Sequence, residues 1–319
     1  MTNMRAVGCT EFGDPSVLGI VTVPKPSLGP GQVLVKVAAA TVNPTDLGFR
    51  QGMRALPPGL EPPYIPGMDL AGVIESAGPD VPRWRAGDRV MAAVSPWVPG
   101  GGAQAEYRVV AEDQLATVPD GWALTDAATL PMNGLTVRAA LDMLALPAGA
   151  TLAVTGSAGI VGQYAIQLGT HEGLTVIGDA APADVPLIES FGARHVVERG
   201  PGMAAAVRGL YPSGVDAVID AALLGPAAVG AVRNGGQLLA VRPYQGPAED
   251  GKAERGITVH LVMVGQHLHE GSRIAGLAGL VTDGVLTLRV AEVLPAARAA
   301  AAHRRLEAGG VRGRLVLSF

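Results

Sequence analysis

Three glycines follow a short apolar run, and their spacing is typical of a turn that binds phosphate. The run from Leu152 to Val154 has the character of a parallel strand that is covered on both faces. The turn follows as Gly156-Ser-Ala-Gly-Ile-Val-Gly162, and an apolar helix face continues from Ala165 to Leu168. Glycines let the backbone approach a pyrophosphate, and the free N–H groups of the next helix favour an anion. These residues predict a dinucleotide site.

The spacing is G-x-x-G-x-x-G rather than the commoner G-x-G-x-x-G, so the pattern alone leaves a phosphate-free structural turn open. A second apolar run, Leu174 to Ile177, completes a βαβ unit and favours the dinucleotide. The residues expected at the cofactor are Gly156, Ser157, Ala158, Gly159, Ile160, Val161 and Gly162.

Asp179 ends the second strand, where a side chain can contact the adenosine ribose. A carboxylate accepts a hydrogen bond from the 2′-hydroxyl of NAD and repels the 2′-phosphate of NADP. No Lys or Arg follows Asp179 before Arg194. The local chemistry therefore favours NADH, with a cap or a solvent-facing side chain as the alternative for Asp179.

Composition excludes several classes of function. The 319 residues are enough for two domains, and no apolar run reaches the length of a membrane span. The net charge is −4 without a basic run, so we expect neither a nucleic acid nor a membrane as partner. Cys9 is the only cysteine and the N-terminus lacks the pattern of a signal peptide, which predicts a cytoplasmic protein.

Two kinds of residue pattern alternate along the chain. Residues 1–125 and 256–319 are rich in short β-type runs, and the first part is broken by Pro and Gly turns. Residues 126–255 alternate strands with helices, which predicts a doubly wound parallel sheet. We therefore predict an α/β protein in which a dinucleotide-binding domain is inserted into a β-rich domain.

Several motifs, in this order and spacing, carry a resemblance to a known family. They are Val42-Asn-Pro-Thr-Asp46, Ile65-Pro-Gly-Met-Asp-Leu-Ala-Gly-Val73, Arg85-Ala-Gly-Asp-Arg-Val90, Asn133-Gly-Leu-Thr136, the glycine turn, and the segment from His303 to Val316. The chain resembles, end to end, the zinc-independent quinone oxidoreductase branch of the medium-chain dehydrogenase/reductase superfamily. The resemblance implies a GroES-like β domain beside a Rossmann domain, with the active site in the cleft between them.

The resemblance implies hydride transfer from a reduced nicotinamide to a quinone or to the β-carbon of an α,β-unsaturated carbonyl compound. NADPH is the cofactor it implies, which would need a basic donor such as Arg314, while Asp179 keeps NADH possible. The match places Asn43 and Asp46 in the cleft. The match assigns four further residues to the cofactor, namely Thr136 at the nicotinamide end and Arg242, Tyr244 and Val264 after bordering strands.

The candidates for catalysis keep structural alternatives. Asn43 can form a turn with the following proline, and Asp46 can cap a helix. Many relatives carry a tyrosine at the position of Met53, so the proton donor here is Tyr64, Tyr244 or water, or the substrate is a quinone that needs no dedicated acid.

No metal site is expected. A catalytic zinc needs three protein ligands, and a structural zinc commonly needs four cysteines. Asn43 stands where zinc-dependent relatives carry a ligand cysteine, and Met68-Asp69 stands where they carry His-Glu. The pair His267 and His269 could form a metal site or supply an acid, although a solvated loop is favoured.

Two other functions stay open: isomerisation or cyclisation on the same fold, and nucleotide binding without catalysis. The run from Ile257 to Val264 is too apolar for an exposed sheet edge. It predicts a homodimer formed by edge strands of the nucleotide domains.

Overall fold

The computed structural model describes residues 2–319 and divides the chain into two compact units. The first comprises the residues up to Met132 together with Gly265–Val281 and Thr287–Phe319, and the second comprises Asn133–Val264 and Thr282–Leu286. These two limits lie seven and nine residues after those predicted at 125 and 255, and Thr282–Leu286 also joins the second unit. The later one differs because Ile257–Leu261 pairs within the parallel sheet of the second unit.

In chain order the strands are β1 (Asn3–Gly8), β2 (Gly19–Pro24), β3 (Gln32–Val42), β4 (Asp69–Ala77), β5 (Arg89–Ala93), β6 (Tyr107–Ala111), β7 (Leu115–Thr117), β8 (Thr151–Thr155), β9 (Thr175–Ala180), β10 (His195–Glu198), β11 (Val215–Asp220), β12 (Val232–Ala240), β13 (Lys252–Ala253), β14 (Ile257–Leu261), β15 (Val290–Pro295) and β16 (Arg314–Ser318). The α-helices are α1 (Pro44–Arg50), α2 (Leu124–Ala127), α3 (Pro131–Leu144), α4 (Ile160–His171), α5 (Val185–Ser190), α6 (Met203–Leu210), α7 (Pro226–Val229), α8 (Gly271–Thr282) and α9 (Ala299–Glu307). Within residues 2–319, no helix has both the length and the hydrophobicity that crossing a bilayer requires.

The first unit is built on β3, which pairs with three other strands. The sheet order is β15-β16-β3-β4-β5-β7, and β6 also pairs with β3; only β15 and β16 run parallel. Alternate residues of these strands point inward, as the period of two requires, and Val35, Ile74 and Leu115 lie in the resulting core. The predicted β-rich fold is confirmed.

The second unit is the predicted parallel sheet. Its order is β10-β9-β8-β11-β12-β14, with the short β13 antiparallel at one edge. The strand order reverses between β8 and β11, which is the doubly wound arrangement in which ligands bind beyond the carboxyl ends of the strands. Helices cover the strands, so Leu152 and Ile219 are almost fully buried. The doubly wound fold is confirmed.

Strand β14, whose edge was predicted to form a homodimer, is partly covered by β13. Lys252 and Ala253 of β13 pair with the first residues of β14. Beyond this pairing, Leu261 is 36% exposed and Met263 is 41% exposed. The homodimer stays a prediction.

A buried basic pair lies where α1 contacts α9 in the first unit. Arg50 is fully buried and donates a hydrogen bond from Nη2 to Oε1 of Glu307. His303 is also fully buried, and neither of its ring nitrogens has a hydrogen-bond partner. Burial, together with the charge of Arg50, lowers the pKa of His303 to about 3. The folded protein therefore holds His303 neutral.

We predict that His303→Leu reduces acid denaturation. In the unfolded chain a histidine protonates near its usual pKa of about 6.5, so the stability due to neutral His303 is complete above that pH and is lost as the pH falls towards 3. Between about pH 6 and 4, the free energy of urea unfolding should therefore shift in favour of the variant by on the order of 1 kcal/mol per pH unit.

His171→Leu is the matched control, because His171 is exposed at the end of α4. This variant should keep the pH dependence of the wild type. If the free energy of unfolding varies with pH in the same way for wild type and His303→Leu, the assignment of a neutral buried histidine is wrong.

Candidate functional site

The glycine turn joins β8 to α4 and is closed by its own backbone. Gly156 has a positive φ of 66°, and its carbonyl accepts a hydrogen bond from the amide of Gly159 at 2.9 Å. A Cβ added to Gly162 would lie 2.4 Å from the oxygen of Gly156, so α4 packs directly on the turn. The amides of the first helical turn lack partners within the helix and lie at its positive end.

Asp179 and Ser157 join the end of β9 to this turn. The amide of Ser157 donates to Oδ1 of Asp179, and the amide of Asp179 donates to Oγ of Ser157, both at 2.9 Å. Asp179 is 5% exposed. One carboxylate oxygen thus binds the turn, a contact that none of the sequence alternatives (a ribose contact, a helix cap or a solvent-facing side chain) included. The effect of Asp179 on cofactor preference stays a prediction.

A second carboxylate, which the sequence interpretation missed, organises the loop after β11. Oδ1 of Asp220 accepts from Oγ1 of Thr155 at 2.7 Å, and Oδ2 accepts from the amide of Gly225 at 2.7 Å. The signal was present, since Asp220 ends an apolar strand as Asp179 does. Arg242 and Tyr244 line a cavity of about 260 Å³ beside Asp220. Of the other predicted contacts, Thr136 lies in α3, and Val264 begins the short 3-10 helix that follows β14.

These features fit a dinucleotide. A Cβ at Gly159 would meet only the oxygen of Gly156, at 3.2 Å, so the outer side of the turn is free of side chains. Ile160 and Val161 contribute their amides at the start of α4, and Ala158 lies in the turn itself. Backbone donors at a helix N-terminus are the groups that bind a pyrophosphate.

Two of the predicted catalytic residues, Asn43 and Asp46, lie at the start of α1 in the first unit. Asp46 is fully buried, and its carboxylate accepts from the amides of Asn43 at 2.8 Å and Gly67 at 3.0 Å. Burial raises the pKa of Asp46 to about 7; the charge of Asp69 acts in the same direction, while the two amides and Arg314 oppose it. The structure therefore contains the helix-capping contact, and the carboxyl group can hold a proton near neutral pH.

Asn43 belongs to a buried network around Asp69. Oδ2 of Asp69 accepts from Oγ1 of Thr41 at 2.6 Å, from Nδ2 of Asn43 at 2.9 Å and from Nη2 of Arg314 at 2.8 Å. Oδ1 accepts from the amide of Met132 at 2.6 Å. Arg314 also donates to Oδ1 of Asn43 at 2.7 Å, so both ends of the asparagine amide are occupied.

Two residues that the sequence analysis assigned to the site are buried in this network. Asn43, predicted to line a cleft, is 1% exposed, and Arg314 and Asp69 bind its side chain. Arg314, predicted to lie near the cofactor phosphate, is 4% exposed and forms an ion pair with Asp69. Both assignments stay predictions. Asp69 and Thr41 were missed as members of the site.

The remaining candidates lie apart from this network. The ring of Tyr64 stacks on Phe12 with centroids 4.9 Å apart. His267 contacts Glu270 and His269 contacts Asp113, each through Nδ1, so the two histidines bind different carboxylates.

The chain matches two domain families. Residues 29–120 match the alcohol dehydrogenase GroES-like domain, and residues 191–317 match the zinc-binding dehydrogenase domain.

The chain is similar in sequence or structure to several known proteins. The chloroplastic quinone-oxidoreductase QR1 of Triphysaria versicolor is 34% identical over 227 residues, which cover 69% of this chain and 68% of that protein. Quinone oxidoreductase of Mus musculus is 38% identical over 56% of this chain and 52% of its own length, so this match spans about half of that relative. A mycobacterial structure in complex with NADPH has a TM-score of 0.84 at 28% identity, covering 99% and 100% of the two chains.

We predict that Gly159→Val abolishes cofactor binding while the fold survives. The added side chain would extend from the turn over the helix N-terminus, where a pyrophosphate would lie. Calorimetric titration with NADPH and NADH measures the loss, and circular dichroism checks the fold.

Gly162→Val is the contrasting variant. Its Cβ would overlap the backbone of Gly156, so it should destabilise the protein as well as remove binding. Unchanged affinity in Gly159→Val would contradict the assignment of the turn.

Proposed function

Because the chain belongs to the quinone oxidoreductase branch of the medium-chain dehydrogenase/reductase superfamily, we propose that it is a zinc-independent, NADPH-dependent reductase of quinones. An α,β-unsaturated carbonyl compound is the second candidate substrate. The observation that carries the proposal is the contact of Arg314 with both Asn43 and Asp69.

The guanidinium of Arg314 supports a reaction without metal. Asn43 and Asp69 stand where zinc-dependent relatives carry a ligand cysteine and the glutamate of a His-Glu pair. Here an amide oxygen and a carboxylate oxygen both accept from Nη2 of Arg314. A positive side chain thus satisfies these oxygens, and Asn43 and Met68 are poor zinc ligands.

The cofactor supplies the hydride when it is bound, and one further proton completes the reduction of a quinone to its hydroquinone with release of the oxidised cofactor. The amides at the start of α4 would bind the pyrophosphate, and Asp220 fixes the loop beside it through Gly225. The proposed role of the second unit is therefore to position the cofactor.

The proton source favours a quinone. Met53, which replaces the tyrosine of many relatives, is 71% exposed, and Tyr64 stacks on Phe12. Asp46 can hold a proton near pH 7, but it is fully buried and bound to two backbone amides. The hydroquinone anion left by hydride transfer can take its one proton from water, so a quinone requires no dedicated acid.

NADPH is the first candidate cofactor, as in the similar mycobacterial complex. NADH is the second, because the carboxylate of Asp179 lies at the turn and would repel a nearby phosphate. With Arg314 bound to Asp69, the donor for a 2′-phosphate would have to come from another residue.

The test is oxidation of NADPH and of NADH with a panel of benzoquinones, naphthoquinones and enones. We expect quinone-dependent loss of nicotinamide absorbance, with a higher kcat/KM for NADPH. Gly159→Val should bind and oxidise neither cofactor. Binding of cofactor with no oxidation by any acceptor would contradict the proposal and favour a non-catalytic nucleotide-binding protein.

A further inference from the structure

Arg108 is a buried cation without a partner. It lies on β6, where it shares the inward face of the strand with Val110, and it is 8% exposed. Within residues 2–319 no side chain or carbonyl forms a hydrogen bond or an ion pair with its guanidinium, and its Nε is buried without a partner.

Burial lowers the pKa of Arg108 to about 10, and no neighbouring charge opposes this effect. A buried charge is normally retained only when it is paired and hydrogen-bonded. The guanidinium of Arg108 therefore lacks the hydrogen-bond acceptor of opposite charge that a buried cation normally has.

The guanidinium ends under a glycine loop, residues 95–101. A Cβ added to Gly100 would lie 2.8 Å from Nη1 of Arg108, and Gly100 and Gly101 have positive φ values of 87° and 73°. The amide of Gly101 closes the turn by donating to the carbonyl of Val98 at 3.0 Å. The backbone of Gly100 therefore lies against the guanidinium, and any side chain in place of this glycine would collide with it.

Loop 95–101 carries a second donor without a partner and contains no acidic residue, and one further arginine lies beside it. The indole nitrogen of Trp97 is buried without a partner, and the guanidinium of Arg54 lies 5.2 Å from the centre of a Trp97 ring. The loop sequence is Ser95-Pro-Trp-Val-Pro-Gly-Gly101. A group of donors that lacks acceptors is complementary to a ligand that only accepts, such as an ionised carboxylate.

Loop 95–101 is joined to the segment that holds Asp46. Trp97 packs edge-on against Phe49 of α1, with ring centroids 5.2 Å apart. Directly after the loop, the amide of Ala103 donates to the carbonyl of Gly67, and the amide of Gly67 donates to Asp46. Arg108 therefore lies in the part of the first unit that also carries the catalytic candidates.

We propose that Arg108 and loop 95–101 bind the carboxylate of the substrate, so that the preferred acceptor is an anionic quinone or enone. This inference rests on the proposed reductase function. A single planar guanidinium presents two parallel N–H groups that match one carboxylate. A phosphate dianion carries two negative charges, and one guanidinium neutralises only one of them. A carboxylate is therefore the better match for Arg108.

The kinetic test uses β-acetylacrylate and its methyl ester, which differ in charge but share the reducible double bond. We expect the wild type to prefer the anion, and Arg108→Met to lose about tenfold or more of this preference in kcat/KM with little change for the ester. Arg108→Lys should retain part of the preference. Arg83→Met removes an exposed arginine of the same unit and should behave as wild type.

The binding test is independent of catalysis. Levulinate, which has no reducible double bond, should bind to the wild type in calorimetry and not to Arg108→Met, whereas inorganic phosphate should bind weakly or not at all. If levulinate binds but no acceptor is reduced, the carboxylate site is supported and the reductase function is contradicted. Equal binding and equal preference in wild type and Arg108→Met, or binding of phosphate alone, would overturn the carboxylate site.

Discussion

The buried carboxylate of Asp69 is the interaction on which the first unit depends. It accepts from Thr41 at the end of β3, from Asn43 before α1, from Arg314 on β16 and from the amide of Met132 in α3. Removing one partner of a buried ion pair leaves an uncompensated charge and typically costs about 3–5 kcal/mol. The network therefore requires all of its members, and it fixes Asn43 and α1 in one arrangement.

Carboxylates at strand ends serve the second unit in the same way. Asp179 at the end of β9 binds the amide of Ser157, and Asp220 at the end of β11 binds the amide of Gly225. Each fixes a loop at the edge of the sheet where ligands bind in doubly wound folds. In both units an acidic side chain therefore fixes the backbone of the candidate site.

The sequence predicted local features well and distant ones poorly. The glycine turn, the parallel sheet and the β-rich unit follow from periodicity and turn residues that lie close together in the chain. The contact of Arg314 with Asp69 joins residues 245 positions apart, and no local pattern indicates it. The partner of Asp179 was missed because side chains alternate between the faces of a strand, so a shift of one residue decides whether a carboxylate meets the turn. Arg108 was missed because a single arginine in an apolar strand gives no sign of whether it is paired.

The central claim is that Arg314, and not a metal ion, completes the site formed by Asn43 and Asp69. The most direct test is elemental analysis of the active protein before and after dialysis against phenanthroline, with quinone-dependent oxidation of NADPH measured on the same samples. The account predicts full activity with far less than one zinc ion per chain. One zinc ion per chain, with oxidation lost on its removal and regained on its return, would contradict the claim.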